Sequence, residues 1–144
     1  MNSDFLRIGA DSISMFCRLN VNVKKKLPIR SSEMGLLILI VKSDTPITPV
    51  VAANYFGVSK PMIANMVVSL EKQKYLRKVS SMQDKRSYIL SAEKKAIELV
   101  DGTYGEYLKV IDMLCEAMGE EKYTQFISLI EEANALILKE NKNG

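Results

Sequence analysis

Two capped helix starts with a glycine between them constrain this chain more than any other feature. Thr48-Pro49 is a cap residue followed by proline at the first helical position, where the missing N–H costs nothing because that donor has no intrahelical partner. A short helix runs from there through Ala52-Ala53-Asn54-Tyr55-Phe56 and stops at Gly57-Val58. Glycine at that point can take the positive φ that a tight turn between helices requires. Ser59 then caps a second helix, with Pro61 in its first turn. Ile63, Met66, Val67 and Leu70 fall at i, i+3, i+4 and i+7, one apolar stripe to hold this helix down. Its opposite face carries Pro61, Asn65, Val68 and Lys72, with Ala64 and Ser69 beside it.

A small residue at Ala53, then Gly57, Val58, Ile63 and Met66, is the spacing of a helix-turn-helix, because small packing residues and a turn glycine let two helices cross steeply. A generic helical hairpin is the plainer alternative, and the sequence that follows weighs against it. After Leu70-Glu71-Lys72-Gln73-Lys74-Tyr75 the period changes. Leu76-Arg77-Lys78-Val79-Ser80 and Ser87-Tyr88-Ile89-Leu90 have strand character, and Ser81-Met82-Gln83-Asp84-Lys85-Arg86 links them as a charged turn. The pattern predicts a β-hairpin wing.

The formal net charge of +3 conceals an asymmetry. Residues 1–59 hold 7 basic and 4 acidic side chains, residues 60–90 hold 7 and 2, and residues 91–144 hold 6 and 11. Positive charge thus gathers on the second helix and the wing, where it would concentrate a phosphate polyanion. A solvated surface with scattered lysines is the alternative that charge alone leaves open.

The remaining chain reads as helices. Residues 4 to about 23 place Phe5, Ile8, Ser12, Met15, Phe16 and Leu19 at helical spacing, and Lys24-Lys25-Lys26-Leu27-Pro28 ends the run. Those lysines are read as a solvated loop or as contacts to a DNA backbone. Ser31-Ser32-Glu33 opens a helix to about Lys42, whose Leu36-Leu37-Ile38-Leu39-Ile40-Val41 is apolar on nearly all sides and is expected in the middle of the domain. Ser91 is expected to cap a long helix over residues 92–118, with Ile97, Val100, Tyr104, Leu108, Ile111, Cys115 and Met118 as its stripe and a bend or frayed segment near Thr103 between Gly102 and Gly105. A last helix over residues 120–139 carries Tyr123, Phe126, Ile127, Ile130, Ala133 and Ile137, with Leu129 and Leu136 widening the face. So broad an apolar face implies a partner; an intramolecular bundle would use the same stripes.

At 144 residues and 47% hydrophobic composition the chain suffices for one packed domain. Its longest apolar run is far short of the roughly 20 residues that span a membrane, and no signal-peptide pattern opens it, so a cytoplasmic location is expected. Cys17 and Cys115 sit amid apolar neighbours and read as inert core thiols rather than a disulfide or a sensor. The chain has no histidine and no Gly-x-x-x-x-Gly-Lys phosphate loop, which argues against an enzyme; no metal or cofactor is expected.

From about Ala52 to Leu90 the chain resembles the winged-helix regulators of the multiple-antibiotic-resistance regulator (MarR) family. The resemblance rests on the Ser59-capped helix, Leu70-Glu71 at its end and Asp84-Lys85-Arg86 in the wing. It implies a mainly α fold with a small β-hairpin wing, one domain over 1–144. Residues 31–90 would be the winged helix-turn-helix, and residues 1–26 and 92–141 the helical dimerisation region. It also implies a homodimeric regulator, a repressor in the first instance, on a pseudo-palindromic double-stranded operator.

On that reading Ser59, Lys60, Pro61, Ala64, Asn65, Ser69 and Lys72 face the major groove or its phosphates. Lys85 and Arg86 serve the wing, with Asp84 orienting Arg86. A local ion pair within the turn is the plainer role for Asp84 and Arg86. A small aromatic or lipophilic ligand between the winged domain and the dimer helices is a further implication, with Met15, Phe16, Met34, Ile38 and Tyr104 as lining or simply as core. The chain departs from the family at Asn65 and Ser69, where many members have arginine, at Lys74, where many have glycine, and at Ala92-Glu93-Lys94-Lys95-Ala96, where many have Leu-Thr-x-x-Gly. The rival reading is a winged-helix protein–protein module or anti-repressor, which the apolar Pro61, Ala64 and Val68 favour and the basic wing opposes.

Overall fold

The structure, a computed structural model, describes residues 2–22, 27–80 and 87–143. Within them the order is α1 (Ser3–Asn22), α2 (Ser31–Lys42), α3 (Pro49–Phe56), α4 (Lys60–Lys72), β1 (Leu76–Ser80), β2 (Tyr88–Ala92), α5 (Lys94–Met118) and α6 (Glu120–Asn143). This is the expected mainly α fold with one antiparallel hairpin.

Helix α2 runs through the centre. Its start is held by the Glu33 carboxylate, which accepts the Arg30 N–H at 3.0 Å and is itself buried. Met34, Leu36 and Leu37 of α2 pack in one core with Ala52 and Ala53 of α3, Ile63, Val67 and Leu70 of α4, Leu76, Leu90, and Ala96 and Val100 of α5. The second half of α2, from Ile38 to Val41, is only partly buried. The apolar run therefore overstated how deeply that half lies.

The hairpin pairs Leu76 with Ala92 through to Ser80 with Tyr88. Ile47 adds an isolated antiparallel bridge, accepting the Leu90 N–H at 2.8 Å. This bridge ties the entry of the helix-turn-helix to the wing, and one isolated residue has no periodicity by which a sequence could announce it.

Three expectations need correction. Ser91 does not cap α5. Strand pairing continues through Ser91 and Ala92, and the helix starts at Lys94 with Glu93 as a cap residue whose side chain makes no capping bond. The Glu93 carboxylate instead pairs with Arg77 at 3.2 Å in an exposed ion pair, and it is the cross-strand pairing of Ser91 and Ala92 that outweighs the local serine signal. Of the expected α5 stripe Val100 is buried and Tyr104, Ile111, Cys115 and Met118 are half-buried, but Ile97 and Leu108 are exposed, and Ala96 and Leu99 pack on the core instead. Helix α5 also stays helical through Gly102 and Gly105, so the segment there is not frayed.

Helix α1 stands apart from this core. Phe5 is 69% exposed and Ile13 67%, and Leu6, Ile8, Met15 and Leu19 are also exposed. Its ring contact is Phe16 edge-on to Phe126 of α6, with centroids 5.7 Å apart. Cys17 shares the exposure and Cys115 is half-buried. The expectation of two core thiols does not hold within one chain, because α1 is not covered by it.

Candidate nucleic-acid interface

The exposed face that could meet a duplex is built from the start of α4 upward. Ser59 Oγ accepts the Met62 N–H at 3.2 Å, and Thr48 Oγ1 does the same for Val51 at the start of α3. Each such cap is worth about 1 kcal/mol. Gly57 between them takes φ 65°, ψ 36°, the left-handed turn the sequence required. Ile63, Val67 and Leu70 are buried and Met66 is partly so, which turns Lys60, Pro61, Met62, Ala64, Asn65, Val68 and Lys72 outward. The periodicity names this division except for Lys60 and Met62, which it leaves out, and Ser69, which it sets beside the outer face. Ser69 is half-buried, and its hydroxyl already takes a hydrogen bond from the Gln73 amide at 3.1 Å.

Charge follows the same face. Among the described residues Lys60, Lys72 and Lys74 form no ion pair, whereas Arg77 is tied to Glu93 and Lys78 lies over the Tyr88 ring at 4.9 Å. Free ammonium groups at the two ends of α4 bracket Asn65, the group on this face best suited to bidentate pairing with a base edge. Asp84, Lys85 and Arg86 lie outside the described residues, as do Lys24, Lys25 and Lys26.

Helix α4 ends in an unusual way. Lys74 has φ 66°, the one described non-glycine residue at positive φ. Around it the Lys74 N–H donates to Glu71 O at 3.0 Å and the Tyr75 N–H to Leu70 O at 2.9 Å, the paired bonds of a Schellman turn. A left-handed lysine costs about 1 kcal/mol or more, and these bonds together with the buried Tyr75 hold it there.

A cavity of about 450 Å³ lies where α2, the end of α3 and α5 meet. It takes in Met34, Ile38 and Tyr104 of the expected lining, and adds Lys42, Tyr55, Phe56 and Tyr107. Met15 and Phe16 are not part of it: Met15 is exposed and Phe16 meets Phe126 of α6 instead. Lys42 sits at its rim, 3.6 Å from the Asp101 carboxylate and 5.0 Å from the Tyr104 ring centroid. Sequence reasoning missed Tyr55 and Tyr107 because α3 and α5 come to one cavity only in the tertiary structure. Among the described residues no cluster of acidic and cysteine side chains could hold a metal, and no helix is long and apolar enough to cross a membrane.

No family model matches the chain, and no curated protein matches it. Solved structures do match, over nearly its whole length. A MarR protein from Peptoclostridium difficile is 22% identical with a TM-score of 0.77, covering 99% of this chain and 93% of its own. FabT of Streptococcus pneumoniae, solved in complex with DNA, is 20% identical with a TM-score of 0.76, covering 92% and 96%. MepR of S. aureus, also solved as a DNA complex, is 16% identical with a TM-score of 0.73, covering 95% and 99%. The shared feature is the fold, that of the MarR-type winged-helix regulators.

Proposed function

We infer that this chain is a homodimeric transcriptional regulator that reads double-stranded DNA with α4, and that it acts as a repressor in the cytoplasm. The observation that carries the reading is the outward face of α4. Its capped N-terminus, Asn65 and unpaired lysines stand on a fold whose solved relatives FabT and MepR were captured on DNA. In this reading Ser59 and Lys60 approach phosphates, Asn65 pairs with adenine, and Pro61 and Ala64 press on thymine methyl groups. Ser69 has a hydroxyl already engaged and serves further along the groove. Lys72, with Lys85 and Arg86 of the wing, supplies the salt-dependent part of binding.

Dimerisation is supported by what one chain leaves uncovered. A 20-residue helix with its apolar side chains in water is marginal alone, and α1 gains little from its own chain. Leu129, Leu136 and Ile137 of α6 are exposed as well. A second copy covers both and sets two recognition helices about one helical turn of DNA apart. The cavity between α2, α3 and α5 has the size and aromatic lining of a small-ligand site. A small aromatic or lipophilic ligand there would shift α5 against the helix-turn-helix and release DNA.

The test is selection of purified protein on a pool of random duplexes across a salt series, with an Arg86→Ala, Lys72→Ala double variant alongside. The expected outcome is a two-fold symmetric motif, steep loss of affinity with salt, and a shallower slope for the variant. Failure to enrich any motif would favour the protein–protein reading, which the exposed Pro61, Met62, Ala64 and Val68 support.

A further inference from the structure

The first turn of α5 reaches back to the end of α4. Lys95 Nζ donates to the carbonyl of Gln73, the residue that closes α4, at 2.9 Å, and lies 4.2 Å from the centroid of the Tyr75 ring. Between those two contacts stands Lys74 in its left-handed conformation. The Glu93 N–H donates to Tyr75 O at 2.9 Å, so the same joint is fastened by backbone on its other side. An ammonium group suits this place because the last carbonyls of a helix carry the negative end of its dipole. The aromatic face beside it attracts a cation as well.

We propose that Lys95 is a positioning residue for DNA reading: it fixes the C-terminal end of α4 to α5 and thereby sets the angle at which α4 enters the groove. The inference rests on the DNA-binding reading above. Leverage makes the angle matter. Thirteen residues of helix extend about 20 Å, so a tilt of about 5° at the Lys95 end moves the Lys60 end by about 1.7 Å. Hydrogen bonds to base edges hold only over about 2.7 to 3.2 Å, so a shift of that size breaks them, while phosphate attraction survives it. Further along α5, Asp101 and Tyr104 meet Lys42 at the rim of the cavity, so one helix bears on both places.

The experiment compares wild type, Lys95→Met and Lys95→Arg on the motif selected by wild type and on random duplex, across a salt series. Methionine keeps the apolar stem without the charge; arginine keeps a cationic donor. The expected result for Lys95→Met is a five- to tenfold loss on the selected motif, with random-duplex affinity and the salt slope unchanged, and recovery in Lys95→Arg. Equal loss on both duplexes with a slope reduced by about one would make Lys95 a direct phosphate contact and overturn the proposal. No loss at all would overturn it too. NMR on the free protein tests the joint without DNA: NOEs are expected between the Lys95 ε-methylene and the Tyr75 ring, and their absence removes the clamp. A wild type that selects no DNA would fail the underlying reading, a result distinct from a wild type that binds while Lys95→Met matches it.

Discussion

Leu138, near the end of α6, seats its side chain on Gly57 so closely that a β-carbon at Gly57 would collide with it. The turn of the helix-turn-helix is thus in contact with the last helix of the same chain. Gly57→Ala is expected to lose stability twice, by about 1 kcal/mol for a left-handed alanine and by a further amount for displacing Leu138. Leu138→Ala should remove the second part only. A double-mutant cycle followed by urea denaturation checks this, and strictly additive losses would mean that the contact is not made in solution.

Ser59→Ala should destabilise the protein by about 1 kcal/mol through loss of the Met62 cap. Ser59→Asp separates the two roles of this position, because aspartate caps equally well but places a negative charge beside phosphate. Melting temperature is expected to be kept and DNA affinity lost; a parallel fall in both would leave Ser59 as a cap alone.

Asn65→Ala should cost about 1 to 3 kcal/mol on the selected site and relax the preference for adenine at one position per half-site. Replacing the thymines nearest Pro61 and Ala64 by uracil removes only methyl groups, and should weaken binding if those side chains touch them. Titration of synthetic duplexes reads both effects.

The uncovered apolar side chains of α1 and α6 predict a dimer. Sedimentation equilibrium should find twice the mass of the chain, and Ile8→Glu with Leu136→Glu should shift it to monomer with weaker DNA binding. A wild type that is monomeric at tens of micromolar would exclude the arrangement.

Gly35 lies mid-helix in α2 at the edge of the cavity, and a β-carbon there would meet the Phe56 ring at 3.6 Å, an ordinary contact. Gly35→Ala is therefore expected to raise stability by up to about 1 kcal/mol, since alanine loses less backbone freedom on folding. A fall in the denaturation midpoint would show that the Phe56 side of α2 is more crowded than the geometry indicates.

Much of the site was legible in the sequence because its signals are local. Caps at Thr48 and Ser59 act on N–H groups three residues away, Gly57 answers a φ requirement of its own backbone, and the Ile63, Met66, Val67, Leu70 stripe follows from the helical repeat. The left-handed Lys74 was signalled only by the resemblance, whose members often have glycine there, and by no local pattern of its own. What misled was a local signal overruled from a distance: Ser91 resembles a cap, but strand pairing with Arg77 claims it. The tertiary structure alone decided the rest. It brought Lys95 to Gln73, Leu138 to Gly57 and the tyrosines of α3 and α5 around one cavity, because these contacts join residues far apart in the chain, and no periodicity within either partner encodes the meeting.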